Sequence, residues 1–511
     1  MPRLTVFVAS AIVISESKSS RACPPEVCVN AIADRRFVRR LVRGALALAA
    51  TATLGCAAAQ PEPEVRGTWL TTTANTHIAS PADTAESMRR LREIGLNTVY
   101  VETWKNGYTQ YPSQALERLI GVDRRPDLAK QDPSDPDKAV PARDLLQETL
   151  IEAHRNELLY IGWFEYGFMA AHQSTMNELR TIKPDWLSRD NEGETVAPNG
   201  FVWLNPLHPQ ARRFLLDIVL ESIDRYDMDG VQLDDRIVWP HVTMGYDDYT
   251  RAVYANEHGG AQPPEDHTDP DWIAWRSKKI DEYAEQFVAE VRAARPGLIV
   301  SVSPAPYPWV YENYCLDWIQ WAADGLWDEY IPQCYRYDYD AFVGTWDQQI
   351  AMLTERGASD AVGLMLAGVL TTGSRPDPVP WADLEQTIDY VRATGGGGHV
   401  WWFSRGVLDE YPSEIAAYYD VASNGHAPHP RRPMDWRPPA IVAQQASDRE
   451  WIATDVPRGT YRVIGKTDSA WSVVGSVTSA GADRLTVTVE NPDTEAVELL
   501  IDRRPDMKSP Q

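Results

Sequence analysis

Asp229-Gly230-Val231-Gln232-Leu233-Asp234-Asp235 is the stretch that decides the fold. Val231 and Leu233 alternate with Gln232, the period of a short buried strand. Two carboxylates stand where that strand would end. Neighbouring strand residues point to opposite sides, so one of Asp234 and Asp235 faces a central site and the other supports it laterally. Acids at the C-terminal end of a strand are where a barrel enzyme keeps its chemistry. An isolated Asp-Asp could equally be a solvated turn, so the neighbouring strands have to decide.

They do so by repetition. Strand-like runs recur at Val65–Leu70, Asn97–Glu102, Leu159–Glu165, Leu298–Ser303, Tyr330–Tyr335, Val362–Leu366 and His399–Phe403. Helical patterns fall between them, near Asp83–Gly95, Ala142–Glu157, Pro209–Tyr226 and Trp272–Ala294. Eight strands alternating with helices imply a parallel sheet, and units of this size fit a (β/α)8 TIM barrel over residues 63–425. A doubly wound open sheet is the alternative, but no glycine-rich first turn supports it. Pro428–Pro439 reads as a linker. Beyond it, short strands at Gly459–Ile464, Trp471–Val474 and Leu485–Val489 predict a small all-β, sandwich-like domain over 440–511.

Charge and leader narrow the setting. Of a net −24, the first 55 residues carry +5 and the rest −29, which disfavours nucleic acid and anionic membrane as partners. Arg35, Arg36, Arg39, Arg40 and Arg43 precede an alanine- and leucine-rich run ending at Leu54-Gly55-Cys56. A basic segment, a short apolar segment and a small residue before a cut describe a secretory signal over 1–56. Cysteine after Leu-Gly resembles a bacterial lipobox, so Cys56 is the expected lipidation site. A lipid there would be the chain's membrane contact, making it an exported envelope protein. Of the five cysteines, Cys315 and Cys334 lie in the body of the chain. With no CxxC and no HExxH, neither a metal nor a cofactor is expected.

A barrel would gather its strand ends, and there the sequence offers Glu102, Trp104, Glu165, Asp234 or Asp235, Gln333, Tyr335 and Trp402, with Asp338 a little beyond. Carboxylates and aromatic rings together, without His or Cys ligands, point to a sugar site. Glycoside hydrolysis needs one carboxylic acid for the leaving oxygen and a carboxylate to attack or to activate water. Glu165 lies between Phe164 and Tyr166, surroundings that raise a carboxyl's pKa and suit an acid. The expected catalytic set is Asp234, Glu165 and Asp235. Glu102, Trp104, Asn205, Gln333, Tyr335 and Trp402 are the expected substrate contacts. Asn205-Pro206 also fits plain turn chemistry, and Trp401-Trp402 leaves open which ring faces inward.

Arg66–Leu70, Asn205-Pro206, Asp229–Asp235 and Ile331–Tyr335 together resemble the glycosyl hydrolase-like 10 family over about residues 63–425. The resemblance implies a (β/α)8 barrel on a secreted protein or lipoprotein. It also implies cleavage of peptidoglycan glycan strands that lack stem peptides, with Asp234 matching the acid of an Asp-Gly-x-x-x-Asp pattern. This chain departs from many members in carrying acids at Glu102 and Glu165, where Gln and Asn are usual. The rivals are a glycan-binding lipoprotein that kept the barrel and lost the chemistry, and an envelope scaffold whose acidic mouth binds a protein or cation.

Overall fold

The computed structural model describes residues 61–129, 142–468 and 470–505. The leader, with Cys56, lies outside them. Eight parallel strands form the barrel: β1 (Val65–Leu70), β2 (Thr98–Glu102), β3 (Leu159–Phe164), β4 (Gly230–Leu233), β5 (Ile299–Val302), β6 (Glu329–Tyr330), β7 (Ala367–Leu370) and β8 (Gly398–Trp402). β1 pairs with both β2 and β8. The ring closes through a parallel bridge from Tyr330 to Met365. Helices α1 (Pro81–Glu93), α2 (Leu145–Arg155), α3 (Pro209–Arg225), α4 (Pro270–Ala294), α5 (Tyr339–Glu355) and α6 (Trp381–Ala393) cover the outside.

Gly230 is needed for close approach. A Cβ there would sit 2.6 Å from the Ile299 carbonyl oxygen and 2.6 Å from the Ile161 side chain. Alternation then sets what faces the axis. Trp69 donates its indole N–H to Gln232 (2.8 Å), and Gln232 donates on to Ser301 (3.0 Å). Trp163 joins them, its ring 6.3 Å from that of Trp69. Two residues beyond Trp163, Gln232 and Ser301, one layer higher, stand Glu165, Asp234 and Ser303, and Glu102 stands likewise beyond Tyr100 of β2, whose ring lies 5.9 Å from that of Trp69. A packed aromatic layer thus forms the floor under the acids.

Two expected strands differ. Val362–Leu366 is largely a 3-10 turn, Ser359–Leu364, and the strand begins at Ala367, paired with His399. An apolar run without alternation does not fix where pairing starts. The sixth strand keeps only Glu329–Tyr330 in the ladder. Pro332 has no N–H to contribute, although its carbonyl accepts from Gly368 (3.1 Å). Among the described residues Cys315 and Cys334 are free and buried, and no helix is long and apolar enough to cross a membrane.

The C-terminal strands β9 (Ile441–Gln445), β10 (Glu450–Val456), β11 (Gly459–Thr467), β12 (Ala470–Ser479), β13 (Ala482–Thr488) and β14 (Ala496–Ile501) form an antiparallel set ordered β12-β11-β14-β9-β10-β13. β9 pairs with β14 through its first half and with β10 through its second. Trp451, Tyr461, Val463, Val487 and Leu499 pack within it.

The stretch expected as a linker is docked. Arg437 is 3 % exposed and reaches Asp227 (2.7 Å) and Asp229 (2.7 and 2.9 Å) at the base of β4. Asp229 also accepts from the indole of Trp436 (2.7 Å) and the backbone N–H of Tyr160 (2.9 Å). His154 stands between Asp229 (3.0 Å) and Arg462 of β11 (2.6 Å). Burial, then the charge of Arg437, lowers the His154 pKa to about 4, so the ring is neutral and accepts from Arg462 while donating to Asp229. Ile151 of α2 packs with Ile464 and Leu500 beside this network. The β-domain is therefore joined to the barrel by buried charge. Arg437→Met should cost about 3–5 kcal/mol, because two acids lose their buried partner; chemical denaturation of the full chain measures it.

Candidate active site

The site forms where β2, β3 and β4 end. Glu102 is 1 % exposed. It accepts from the Thr71 hydroxyl (2.8 Å), the Thr72 backbone N–H (3.1 Å), the Thr72 hydroxyl and the Lys105 ammonium (2.7 Å). Burial works to raise this carboxyl, but Lys105 and the two threonines override it and hold it down at about 2. Glu102 is therefore a fixed anion. What it fixes is Lys105, whose ammonium also lies 3.0 Å from Glu165.

Glu165 is 1 % exposed and differs in kind. Its partners are two cations: the Lys105 ammonium, 3.0 Å from Oε2, and Arg236, 3.7 Å from Oε1. Burial pushes its carboxyl up to about 7; Lys105 opposes this and the charge of Glu102 adds to it.

Asp234 receives donors on both oxygens. Ser303 (2.8 Å) and the Gln333 amide (2.8 Å) reach Oδ1, and Arg236 reaches Oδ2. Burial, then the charge of Asp235, pushes this carboxyl up as well, to about 8. The cluster holds four carboxyls against two cations, so a proton must stay among them. The Gln333 amide and Arg236 can only donate, which favours the charged form of Asp234. Glu165, with Lys105 as its one close donor, is the less well stabilised anion of the two. Asp235 lies 3.2 Å from Arg236 with its side chain 24 % exposed, beside the central pair rather than within it.

The other expected contacts divide. Gln333 is in the site and also ties to the Ser303 carbonyl (3.0 Å). The Tyr335 and Trp402 rings lie 5.5 Å apart, with Trp163 6.0 Å from Trp402. The indole N–H groups of Trp163 and Trp402 and the Tyr335 hydroxyl have no partner among the described residues. Trp402 is the inward ring, because Trp401 bonds outward to Tyr419 (3.1 Å).

Trp104 is not in the mouth. A short hairpin, Trp104–Lys105 with Tyr108–Thr109, turns its indole onto Phe214 of α3 and the Gly167 carbonyl (3.1 Å). Asn205 is also elsewhere, fastening Asp247 (2.8 Å), Thr250 (2.9 Å) and Leu207 (2.8 Å). Asp338 caps α5. Sequence reading missed Lys105 and Arg236. The signal for both was proximity: a lysine three residues past one acid, and an arginine directly after the Asp-Asp pair.

A raised carboxyl pKa has a direct consequence. Such a group stabilises the fold while protonated, and that contribution is lost as pH rises through its folded value. Glu165→Gln keeps a neutral side chain, so it should gain stability relative to the parent as pH rises through about 7. Paired thermal melts from mildly acidic to mildly alkaline pH read this out, and a constant gap would show that Glu165 is ionised throughout.

Comparison with known proteins gives the family. The chain is 23% identical over 405 residues to the glycosyl hydrolase YngK of Bacillus subtilis, covering 72% of this chain and 71% of that one. It is 24% identical over 324 residues to the glycosyl hydrolase DigH of Escherichia coli, covering 54% of this chain and 66% of that one. The PgaB (BpsB) glycoside hydrolase domain of Bordetella bronchiseptica superposes with a TM-score of 0.52 at 14% identity, over 70% of this chain and 99% of that one; this likeness is one of fold. Residues 64–376 match the family model described as glycosyl hydrolase-like 10, and the chain belongs to that family.

Proposed function

We propose that the chain is an exported glycoside hydrolase of the cell envelope. Glu165 is its general acid, Asp234 its nucleophile or base, and Asp235 a lateral support. The observation that carries the reading is the asymmetry between two adjacent carboxyls. Burial raises both, but one accepts from Ser303, Gln333 and Arg236, whereas the other has the Lys105 ammonium, 3.0 Å from Oε2, as its one close donor. Such a split marks an acid and a carboxylate working as a pair. Glu102 serves the pair by holding Lys105 in place. The unpartnered N–H of Trp402 and O–H of Tyr335 supply donors for sugar oxygens, and their rings supply apolar faces. The family resemblance favours peptidoglycan strands freed of stem peptides as the polymer.

Asp234→Asn keeps the shape but removes the charge that an oxocarbenium-like transition state needs, so turnover should fall by about a thousandfold or more while glycan binding survives. Glu165→Gln should lose less with substrates whose leaving group needs no proton. Product analysis on denuded peptidoglycan strands, beside neutral α- and β-glucans, is the measurement. Binding by the parent and both variants without any product would establish a glycan-binding protein instead.

Export and lipidation of Cys56 form the second part of the proposal, carried by the arginine-rich leader and the Leu-Gly-Cys sequence. Cys56→Ser should release the protein from the membrane fraction; equal partitioning of the two forms would exclude a lipid anchor there.

A further inference from the structure

Both carboxyls assigned to the reaction are closed off. Asp234 is 3 % exposed and Glu165 1 %, too little for a sugar ring to touch either. Arg236 lies against both. Its guanidinium bonds to Asp234 and donates to the Glu165 main-chain carbonyl (3.1 Å). It also lies 3.2 Å from the Asp235 carboxylate and 3.7 Å from that of Glu165. One of its faces rests over the Tyr166 ring, 5.5 Å from the centroid. The side chain is itself partly exposed, so it forms the outer boundary of the site.

The backbone at this point is held. Phe168 N–H donates to the Arg236 carbonyl (3.0 Å). Gly167, at φ +44°, passes so close that a Cβ there would lie 2.5 Å from that oxygen. With the main chain fixed here, Arg236 can leave the acids only by moving its side chain. Its Nε–H has no partner, so the guanidinium is not fully held.

We propose that Arg236 is a gate: a cation of the chain's own that occupies the reacting sugar's place at rest and swings out to admit it. The proposal rests on the glycoside hydrolase reading and adds a conformational step to it. Its logic is charge balance. Once Arg236 leaves, Asp234, Asp235 and Glu165 face only Lys105, and a neutral sugar does not replace the lost positive charge. A transition state with oxocarbenium character does. The negative excess that Arg236 neutralises at rest then acts where catalysis needs it, on the transition state rather than the ground state. Substrate meanwhile bears the cost of displacing the guanidinium, which weakens its apparent affinity. The opposing possibility is that Arg236 never moves and simply positions the acids.

Arg236→Ala separates the two, with calorimetric binding of denuded peptidoglycan strands and steady-state turnover as readouts. A gate predicts glycan binding at least about tenfold tighter than the parent, the worth of one charge-assisted hydrogen bond. It also predicts a matching fall in KM. Millimolar guanidinium chloride should weaken binding to the variant by refilling the vacated position. Unchanged or weaker glycan binding overturns the gate. So does turnover that is lost and then restored by guanidinium, because that makes Arg236 a fixed positioning residue. Should Arg236→Ala not fold, Arg236→Lys, with its shorter reach, is expected to show a smaller gain in the same direction, and no gain there is equally fatal. Binding is read without product, so absence of turnover in parent and variant alike would defeat the hydrolase reading while leaving the gate judged on affinity.

Discussion

The site is governed by unequal numbers of buried charges: four carboxyls against two cations at the end of one barrel. Each carboxylate taken out of water must find a partner or keep its proton. Glu102 takes most of Lys105, and Asp234 takes most of Arg236. Glu165 is left with a shared ammonium and a distant guanidinium, and so has the fewest donors to hold it as an anion. The acid is thus defined less by its own surroundings than by what its neighbours have claimed. Thr71 and Thr72 matter for the same reason. By fixing Glu102 as an anion they fix Lys105, and with it the field at Glu165.

The same strand carries a second charge problem at its other end. Asp227 and Asp229, at the base of β4, are also buried acids, but cations from the segment after the barrel and from the β-domain meet them. At the base three arginines, Arg295, Arg437 and Arg462, meet the two acids and the result is adhesion. At the mouth they fall short and the result is a retained proton. One seven-residue stretch, Asp229 to Asp235, therefore anchors a domain at one end and carries the candidate chemistry at the other. Its β-strand sets the separation between the two.

Much of this was legible because alternation and position carry it. Val231–Leu233 announced a strand, and the identical parity of Trp163 and Glu165, or of Gln232 and Asp234, follows from the pleat alone. What the sequence did not carry was anything that depends on register between distant segments. Nothing local says that Gln333 and Ser303 meet on Asp234, or that Ala367 rather than Val362 opens the seventh strand. Trp104 misled because it follows Glu102 by two residues, the interval that keeps a side chain on one face. The strand has already ended there, and the hairpin turns the indole onto Phe214. Pro428–Pro439 misled through composition. Prolines mark an irregular path, but that path is fastened to buried acids by Arg437.

The aromatic floor completes the electrostatics. Trp69, Trp163 and Trp402 pack edge to face beneath the carboxyls, and Trp69 spends its one polar group on Gln232. Smaller residues in that layer would admit water, and water would screen Lys105 from Glu165 and let every carboxyl ionise near its ordinary pKa. The tryptophans therefore act on the chemistry without touching a proton. By filling the barrel under the acids they keep the local dielectric low enough for a deficit of cations to decide which carboxyl holds a proton.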